Sequence, residues 1–413
     1  MASPPHLAEL QLSPLPDDQT EGFVAAALRV FSIDFDPVTW PSRGVFEPER
    51  NFGFTVAGRW VATCSAYSRS LTVPGGTAVP VAAVTYVTVR PDYRRRGLLT
   101  AMMRHQLDDV VARGEPVALL WASEGSIYGR YGYGLATGSL DISGATPAMA
   151  FRPEVDLGDG SVGEVEEAEW RAAVEPLHAA LLPDRPGSLA RPPAWWSQTI
   201  SDHPVRRRGA SPYRFALHFD AGGQPDGYLA FRTQGSGMVS PDVEVRVGAL
   251  DAADAAGHAR LWRYVFDQDL VRSFRASVAP DDPLPHLLQD SHALRASIGE
   301  GLFARLVDVP RALEARRYAR EVDLVIGVRD PMLPENAGAF RLRGGTDGAE
   351  VRRVGTEPDV ELDVRDLGAL YLGGTPATVL HRAGLLTEST PGAVAALGAA
   401  FGWSRLPFSL DYF

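Results

Sequence analysis

The sequence predicts an α+β protein in three parts, of which the first two share one plan. Its 413 residues exceed the ~250–300 at which a single core stops growing, so two or three domains are expected. Residues 82–114 read as strand, basic loop and helix. Residues 8–31 (strand, acidic turn, amphipathic helix) have a counterpart in 160–181, and the order of 59–112 returns after residue 227 as two strands and a helix.

In residues 82–114, "AAVTYVTV" is rich in β-branched and aromatic residues and reads as a strand that Pro91 and Asp92 break. From Gly97 onward Leu99, Met102, Met103, Leu107, Val110 and Val111 recur at helical spacing, and Gly114 ends the run. A helix start leaves about four backbone N–H groups unpaired and carries partial positive charge. With Arg94, Arg95 and Arg96 beside it, and no Cβ at Gly97 to obstruct a pyrophosphate, such a start suits phosphate binding. The bland alternative is a basic surface loop capping a core helix. Residues 82–114 contain no G-x-x-x-x-G-K-[ST] and no G-x-G-x-x-G, which argues against a nucleoside triphosphatase or dinucleotide loop there.

A second apolar strand follows in "PVALLWASEGSIYGRYGYGLAT" (116–137). Its segment 124–134 packs three tyrosines and four glycines into eleven positions. Glycine permits turns and close backbone approach, and tyrosine brings an apolar ring with a polar tip. Taken alone, this is a tight turn whose rings fill the edge of a core.

Composition narrows the function classes. The chain is 45% hydrophobic and 22% charged, ordinary for a soluble globular protein, and no stretch approaches the ~20 apolar residues of a membrane span. The single cysteine, Cys64, precludes an internal disulfide and any zinc site with two cysteine ligands, and fits a reducing cytoplasm. The amino terminus lacks the pattern of a signal peptide. A net charge of −11 argues against nucleic acid as the main partner and favours cationic small molecules or basic peptides. The arginine run at 206–208 reads as a solvated loop.

The loop Arg94–Leu99 resembles the acyl-coenzyme A loop [QR]-x-x-G-x-[GA] of the GCN5-related N-acetyltransferases (GNAT), with Leu99 in place of the usual small residue. "YVTVRPDYRRRGLL" together with "ASEGSIYGRYGYG" more closely resembles the enhanced intracellular survival (Eis) family of bacterial acetyltransferases. The resemblance continues through "DPLPHLLQD", "LEARRYAREVDL" and the aromatic carboxyl end. It implies two tandem GNAT-like domains, expected at 1–155 and 156–295, and a sterol-carrier-like domain at 296–413. The second copy carries "LDAADAAG" where the first has "RPDYRRRG", and is expected not to bind coenzyme A. The third part, with "REVDLVIGVRDP", "GAFRLRGG" and "VELDVRDLGALYLGG", reads as an antiparallel sheet with short helices.

Direct acetyl transfer needs a base for the substrate ammonium and an acid for the departing thiolate. Tyr128 matches the family's catalytic tyrosine in "IYGRYGYG" and is the candidate acid. Tyr131 and Tyr133 are assigned to packing. The sequence shows no Ser-His-Asp order or paired-carboxylate motif to supply a base. The chain ends in "LPFSLDYF", too apolar for a frayed tail. In the Eis family the terminal carboxylate is the base, and Phe413 matches the final phenylalanine; the family's penultimate residue is often acidic, and here it is Tyr412 with Asp411 before it. The family pattern further implies acetyl-coenzyme A contacts from Val87, Thr88, Val89, Arg94, Arg95, Arg96, Gly97, Leu98, Leu99, Thr100, Ser123 and Glu124, with no metal. Asp34, Tyr86 and Trp196 are expected to line the acceptor site. By the same resemblance the acceptor is an aminoglycoside-like polycation and the assembly a homohexamer. A lysine amine of a protein or peptide is the alternative acceptor, and a non-enzymatic lipid-binding or scaffold protein is the rival class.

Overall fold

The β-rich run expected before residue 90 is realised as a long antiparallel meander. The computed structural model describes residues 10–37, 40, 44–235 and 242–413; residues 8, 9, 236 and 237 of the segments read above lie outside them. The chain begins with β1 (Leu12–Pro14), α1 (Thr20–Val30), β2 (Asn51–Val56), β3 (Arg59–Thr72) and β4 (Ala78–Val89). Then come α2 (Leu98–Ala112), β5 (Val117–Trp121), the short α3 (Gly125–Tyr128) and β6 (Gly134–Leu135). On α2, Leu98, Met102, Met103, Leu107 and Val110 form one core with Cys64, Ala66, Ala82, Val84, Ala118 and Leu120 of the sheet. Val111 is 52% exposed, a correction to the apolar face read from sequence. One residue past Val110 is about 100° around the helix and leaves the buried stripe. Phe23 and Val24 of α1 pack with Trp60 in a second core.

The chain then builds a separate compact unit, Gly138–Gly301 with Arg405–Leu410. Its strands are β7 (Gly138–Ala145), β8 (Ser161–Val165), β9 (Arg214–Phe219), β10 (Pro225–Gln234), β11 (Val243–Ala252), β12 (Val271–Val278) and β13 (Arg295–Glu300), in sheet order β13-β7-β12-β11-β10-β9-β8. The helices are α4 (Glu167–Leu181), α5 (Pro193–Thr199), α6 (Ala255–Phe266) and α7 (Leu284–Leu287). The repeats read from sequence thus fold as read, with α4 after β8 and α6 between the parallel pair β11 and β12.

The other unit comprises the chain up to Thr137 together with Leu302–Ser404 and Asp411–Phe413. Here β14 (Leu302–Leu306) inserts between β5 and β6, so the first sheet runs β1-β2-β3-β4-β5-β14-β6. After α8 (Val309–Ala315), a five-stranded sheet forms from β15 (Val322–Arg329), β16 (Gly338–Gly345), β17 (Gly348–Val354), β18 (Val360–Asp363) and β19 (Leu386–Glu388), ordered β17-β16-β15-β18-β19. The helices α9 (Val364–Tyr371), α10 (Ala377–Arg382) and α11 (Ala393–Phe401) accompany it. This sheet is mixed rather than antiparallel as read, because β15 and β18 pair in parallel. Among the described residues no helix is long and apolar enough to cross a membrane.

Candidate active site

The site starts from a fault in a strand. Between Thr63↔Thr88 and Ser65↔Thr85 the β3–β4 ladder holds one residue on β3 and two on β4, a β-bulge. Tyr86 lies at its centre with φ +46, in the left-handed region that ordinary side chains rarely adopt. The Thr63 hydroxyl secures it, 2.7 Å from the Tyr86 carbonyl and 2.6 Å from the Thr88 hydroxyl. β4 pairs in parallel with β5 from Val81 to Val84, and past the bulge its last residues leave β5. The freed segment is Thr85–Val89, which contains the expected contacts Val87, Thr88 and Val89 and has backbone polar groups on one edge open to a ligand.

The basic loop follows. Arg90 and Arg96 stack on the Tyr93 ring, each 5.2 Å from its centroid. Arg94 Nε donates to the Val89 carbonyl at 3.3 Å and Arg96 Nη2 to the Asp92 carbonyl at 2.9 Å. Arg95 is exposed, with φ +62, and makes no hydrogen bond or ion pair among the described residues. Gly97 caps α2 with φ +83, and no side chain bonds back into the first turn. The first N–H groups of α2, from Leu98 to Thr100, therefore point out without an intrahelical acceptor. The result is a concave array of donors with a free guanidinium at its rim, which is chemistry for a pyrophosphate.

The tyrosine-rich turn lies against this loop. The Thr100 hydroxyl on the first turn of α2 is 3.2 Å from the Tyr131 hydroxyl. Ser123 and Glu124 are exposed at the end of β5, and Tyr128 is 7% exposed at the end of α3. Burial, then the neighbouring Cys64, Tyr131 and Glu124, pushes the Tyr128 phenol well above its ordinary value. Tyr133 packs edge-on to Tyr128 with centroids 6.1 Å apart, and its buried hydroxyl has no hydrogen-bond partner among the described residues. The structure thus brings Tyr128 and the basic loop together through the Tyr131–Thr100 contact.

The acceptor-side residues divide. Tyr86 is half-buried and its hydroxyl accepts from Trp40 Nε1 at 3.4 Å. Trp40 in turn lines a cavity of about 410 Å³ with Phe46, Pro48, Thr20, Asp17, Asp18 and Glu21. Asp34 is exposed in the segment after α1. Trp196 is fully buried in the other unit, edge-on to Trp170 at 5.7 Å, and is core packing rather than a pocket wall. Trp40 and the cavity's three carboxylates are not among the residues expected from sequence, where the "PDD" turn before α1 reads as an acidic turn alone.

The chain end is anchored. Asp411 is buried and pairs with buried Arg69 of β3 at 3.3 Å. Its carbonyl accepts from Trp121 Nε1 at 2.7 Å, and the Tyr412 ring lies 5.6 Å from that indole. Phe413 is 8% exposed. Asp411, the residue before the Tyr412 that departs from the family pattern, thus holds the tail against the strand leading to Tyr128. Among the described residues no three His, Cys, Asp or Glu side chains are grouped to hold a metal ion.

Comparison with known proteins agrees with this architecture. Two GNAT acetyltransferase domain models match residues 11–136 and 187–306, and a sterol carrier protein domain model matches residues 309–409. An uncharacterized N-acetyltransferase of Streptomyces avermitilis is 40% identical over 366 residues, 88% of this chain and 89% of that one. N-acetyltransferase Eis of Mycobacterium tuberculosis is 35% identical over 338 residues, 80% of each chain. The crystal structure of Eis1 from Mycobacterium abscessus superposes with a TM-score of 0.85 at 33% identity, over 98% of this chain and 100% of that one. The bulged strand, the donor-rich helix start and the tyrosine turn are therefore parts of an acetyltransferase fold, and the chain belongs to the Eis family of GCN5-related N-acetyltransferases.

Proposed function

We propose that this acetyltransferase moves an acetyl group from acetyl-coenzyme A to an amine of a polycationic, aminoglycoside-like molecule, with Tyr128 as acid and the Phe413 carboxylate as base. The observation that carries the reading is the junction of Gly97, Arg95 and the open start of α2 with the turn bearing Tyr128. The loop Arg94–Thr100 would hold the pyrophosphate, with Val87, Thr88 and Val89 along the pantetheine and Ser123 and Glu124 beside it. The terminal carboxylate takes a proton from the acceptor ammonium, directly or through water. The freed nitrogen lone pair attacks the thioester carbonyl carbon, the C–S bond breaks, and the thiolate takes the Tyr128 proton. The nitrogen, positively charged after the attack, loses its second proton, which restores the phenolate through water. The carboxyl group releases its proton to solvent, and the amide and free coenzyme A leave. A phenol raised by burial stays protonated at neutral pH, as an acid must.

A cationic acceptor is favoured by the cavity where Asp17, Asp18 and Glu21 meet the rings of Trp40 and Phe46, since carboxylates and aromatic faces both attract ammonium groups. Tyr86, bonded to Trp40, would face it, with Asp34 on the neighbouring loop. We assign catalysis to the part expected at 1–155, shortened to end at Thr137 because β7 joins the second sheet and completed by Leu302–Leu306. The degenerate copy expected at 156–295 is assigned to Gly138–Gly301, and the sterol-carrier-like part expected at 296–413 to the chain from Val309. Family resemblance supports a cytoplasmic homohexamer, which light scattering on the purified protein would check.

The test is thiol release from acetyl-coenzyme A across a panel of aminoglycosides, linear polyamines and lysine peptides. Turnover of the polycations over the peptides is expected, and a preference for peptides would reassign the acceptor. Tyr128→Phe removes only the hydroxyl and is expected to lower kcat by ~10²–10⁴-fold with little change in acetyl-coenzyme A binding. A kcat within about threefold of wild type would make Tyr128 structural.

A further inference from the structure

The turn that carries Tyr128 is held by residues far along the chain. Arg305 on β14 is fully buried, and its Nε donates to the Tyr131 carbonyl at 3.0 Å. Its Nη2 reaches both oxygens of Asp330 at 2.9 and 2.7 Å, and Nη1 donates to the Leu306 carbonyl. Asp330 is itself fixed by the amides of Met332 and Leu333 and by Asn336 Nδ2 at 2.9 Å. The guanidinium therefore has one rigid orientation, aimed at the backbone between Tyr128 and Tyr133.

The glycines of the turn are shaped to receive this brace. Gly132 has φ +86, and a Cβ there would lie 2.6 Å from Arg305 Nε and 2.9 Å from Val364 Cγ1. A Cβ at Gly134 would strike the backbone of α9 at Arg365 and Ala369. Close approach of β14 and α9, rather than looseness, explains the glycines at 132 and 134. The Tyr131 hydroxyl extends the chain of contacts to Thr100 on α2.

We propose that Arg305 is a positioning residue for acetyl transfer: it fixes the tyrosine turn so that the Tyr128 hydroxyl meets the departing thiolate. The proposal rests on the reading of Tyr128 as acid. Arg305 touches no reacting atom and acts through the Tyr131 carbonyl. A displacement of about 1 Å at a reacting group is enough to cost one to two orders of magnitude in rate.

The experiment is a double-mutant cycle in the full-length enzyme. Arg305→Lys keeps a charge for Asp330 and loses the fork that also reaches Tyr131. It is expected to lower kcat on the order of tenfold while the KM for acetyl-coenzyme A stays within about twofold. In a Tyr128→Phe background the same change is expected to cost less than about twofold in kcat, because the group it positions is gone. An equal loss in both backgrounds, or no loss in the first, overturns the proposal. A Tyr128→Phe enzyme with normal kcat overturns the acid assignment and this proposal with it; a damaged one with additive losses overturns this proposal alone. Should Arg305→Lys fail to fold by circular dichroism, Arg305→Met with Asp330→Asn serves instead. It removes both charges and leaves an Asn oxygen for the Met332 and Leu333 amides, and a folded double variant with full kcat overturns the proposal equally.

Discussion

Two strand-to-helix junctions in this molecule share a frame and differ in chemistry. In the first, β4 bulges at Tyr86, pairs in parallel with β5 over four residues and passes through three arginines to Gly97 and α2. In the second, β11 bulges at Gly248, pairs in parallel with β12 from Val243 to Arg246 and passes through Ala253 and Asp254 to α6. The Asp254 carboxylate accepts from the Gly257 amide at 2.7 Å. A helix start capped in this way has spent a donor that a phosphate would need. It also carries negative charge where the helix dipole attracts an anion. The frame is thus common to both, and a handful of residues at the helix start decides whether it can take a coenzyme.

The comparison can be broken most sharply at the chain end, which belongs with the first junction: Asp411 bonds Arg69 and Trp121, strands of the first sheet. Phe413 is two residues further on, within about 7 Å of extended chain. An uncleaved carboxyl-terminal extension, or deletion of Phe413, is expected to abolish turnover while calorimetry still shows coenzyme binding. Full activity in the extended enzyme would return the search for a base to the acidic residues around the first sheet.

Next in size is Gly97→Asp, which places at the first junction the residue type that caps the second. Both the carboxylate and the lost approach to the helix start oppose a pyrophosphate. Acetyl-coenzyme A affinity should fall on the order of a hundredfold, about 3 kcal/mol, in a protein with unchanged circular dichroism. Unaltered affinity on titration would mean that the phosphates bind elsewhere.

The tyrosine turn has no counterpart at the second junction, and it should show in alkaline stability. Burial raises Tyr128 and Tyr133 above the ordinary tyrosine value. A raised folded value means the stabilisation is complete below pH ~10 and is lost as pH climbs toward the folded values, by about 1.4 kcal/mol per pH unit for each group. Unfolding midpoints in urea between pH 9 and 11 should therefore decline less steeply in Tyr133→Phe than in wild type. Identical slopes would show that Tyr133 ionises freely in the folded protein.

The smallest effect sharpens the comparison from the other side. Asp254→Ala should cost about 1 kcal/mol of stability through the lost cap. It should create no second coenzyme site, because Asp251, Ala252 and Ala253 stand where the first junction has arginines. A calorimetric stoichiometry of two acetyl-coenzyme A per chain would show that the cap alone had been excluding it.

What the sequence determined by itself is the set of features written within about thirty residues. The strand, basic loop and helix of 82–114, the strand–helix repeat at 160–181 and the loss of the phosphate loop in the second copy all rest on local propensity, periodicity and glycine placement. These act through neighbours along the chain, so they can be read without a fold. Trp196 marks the limit: an aromatic beside a proline-rich turn looks the same from sequence whether it lines a pocket or, as here, packs against Trp170. The tertiary structure alone decided that β14 enters the first sheet, that Arg305 grips a carbonyl 174 positions earlier and that Asp411 pairs with an arginine 342 positions away. Contacts at such separations leave no periodic trace, because the backbone between them sets only that the ends can meet. Which partner they meet is settled by burial, where an arginine or aspartate deprived of water must find its opposite charge or a carbonyl.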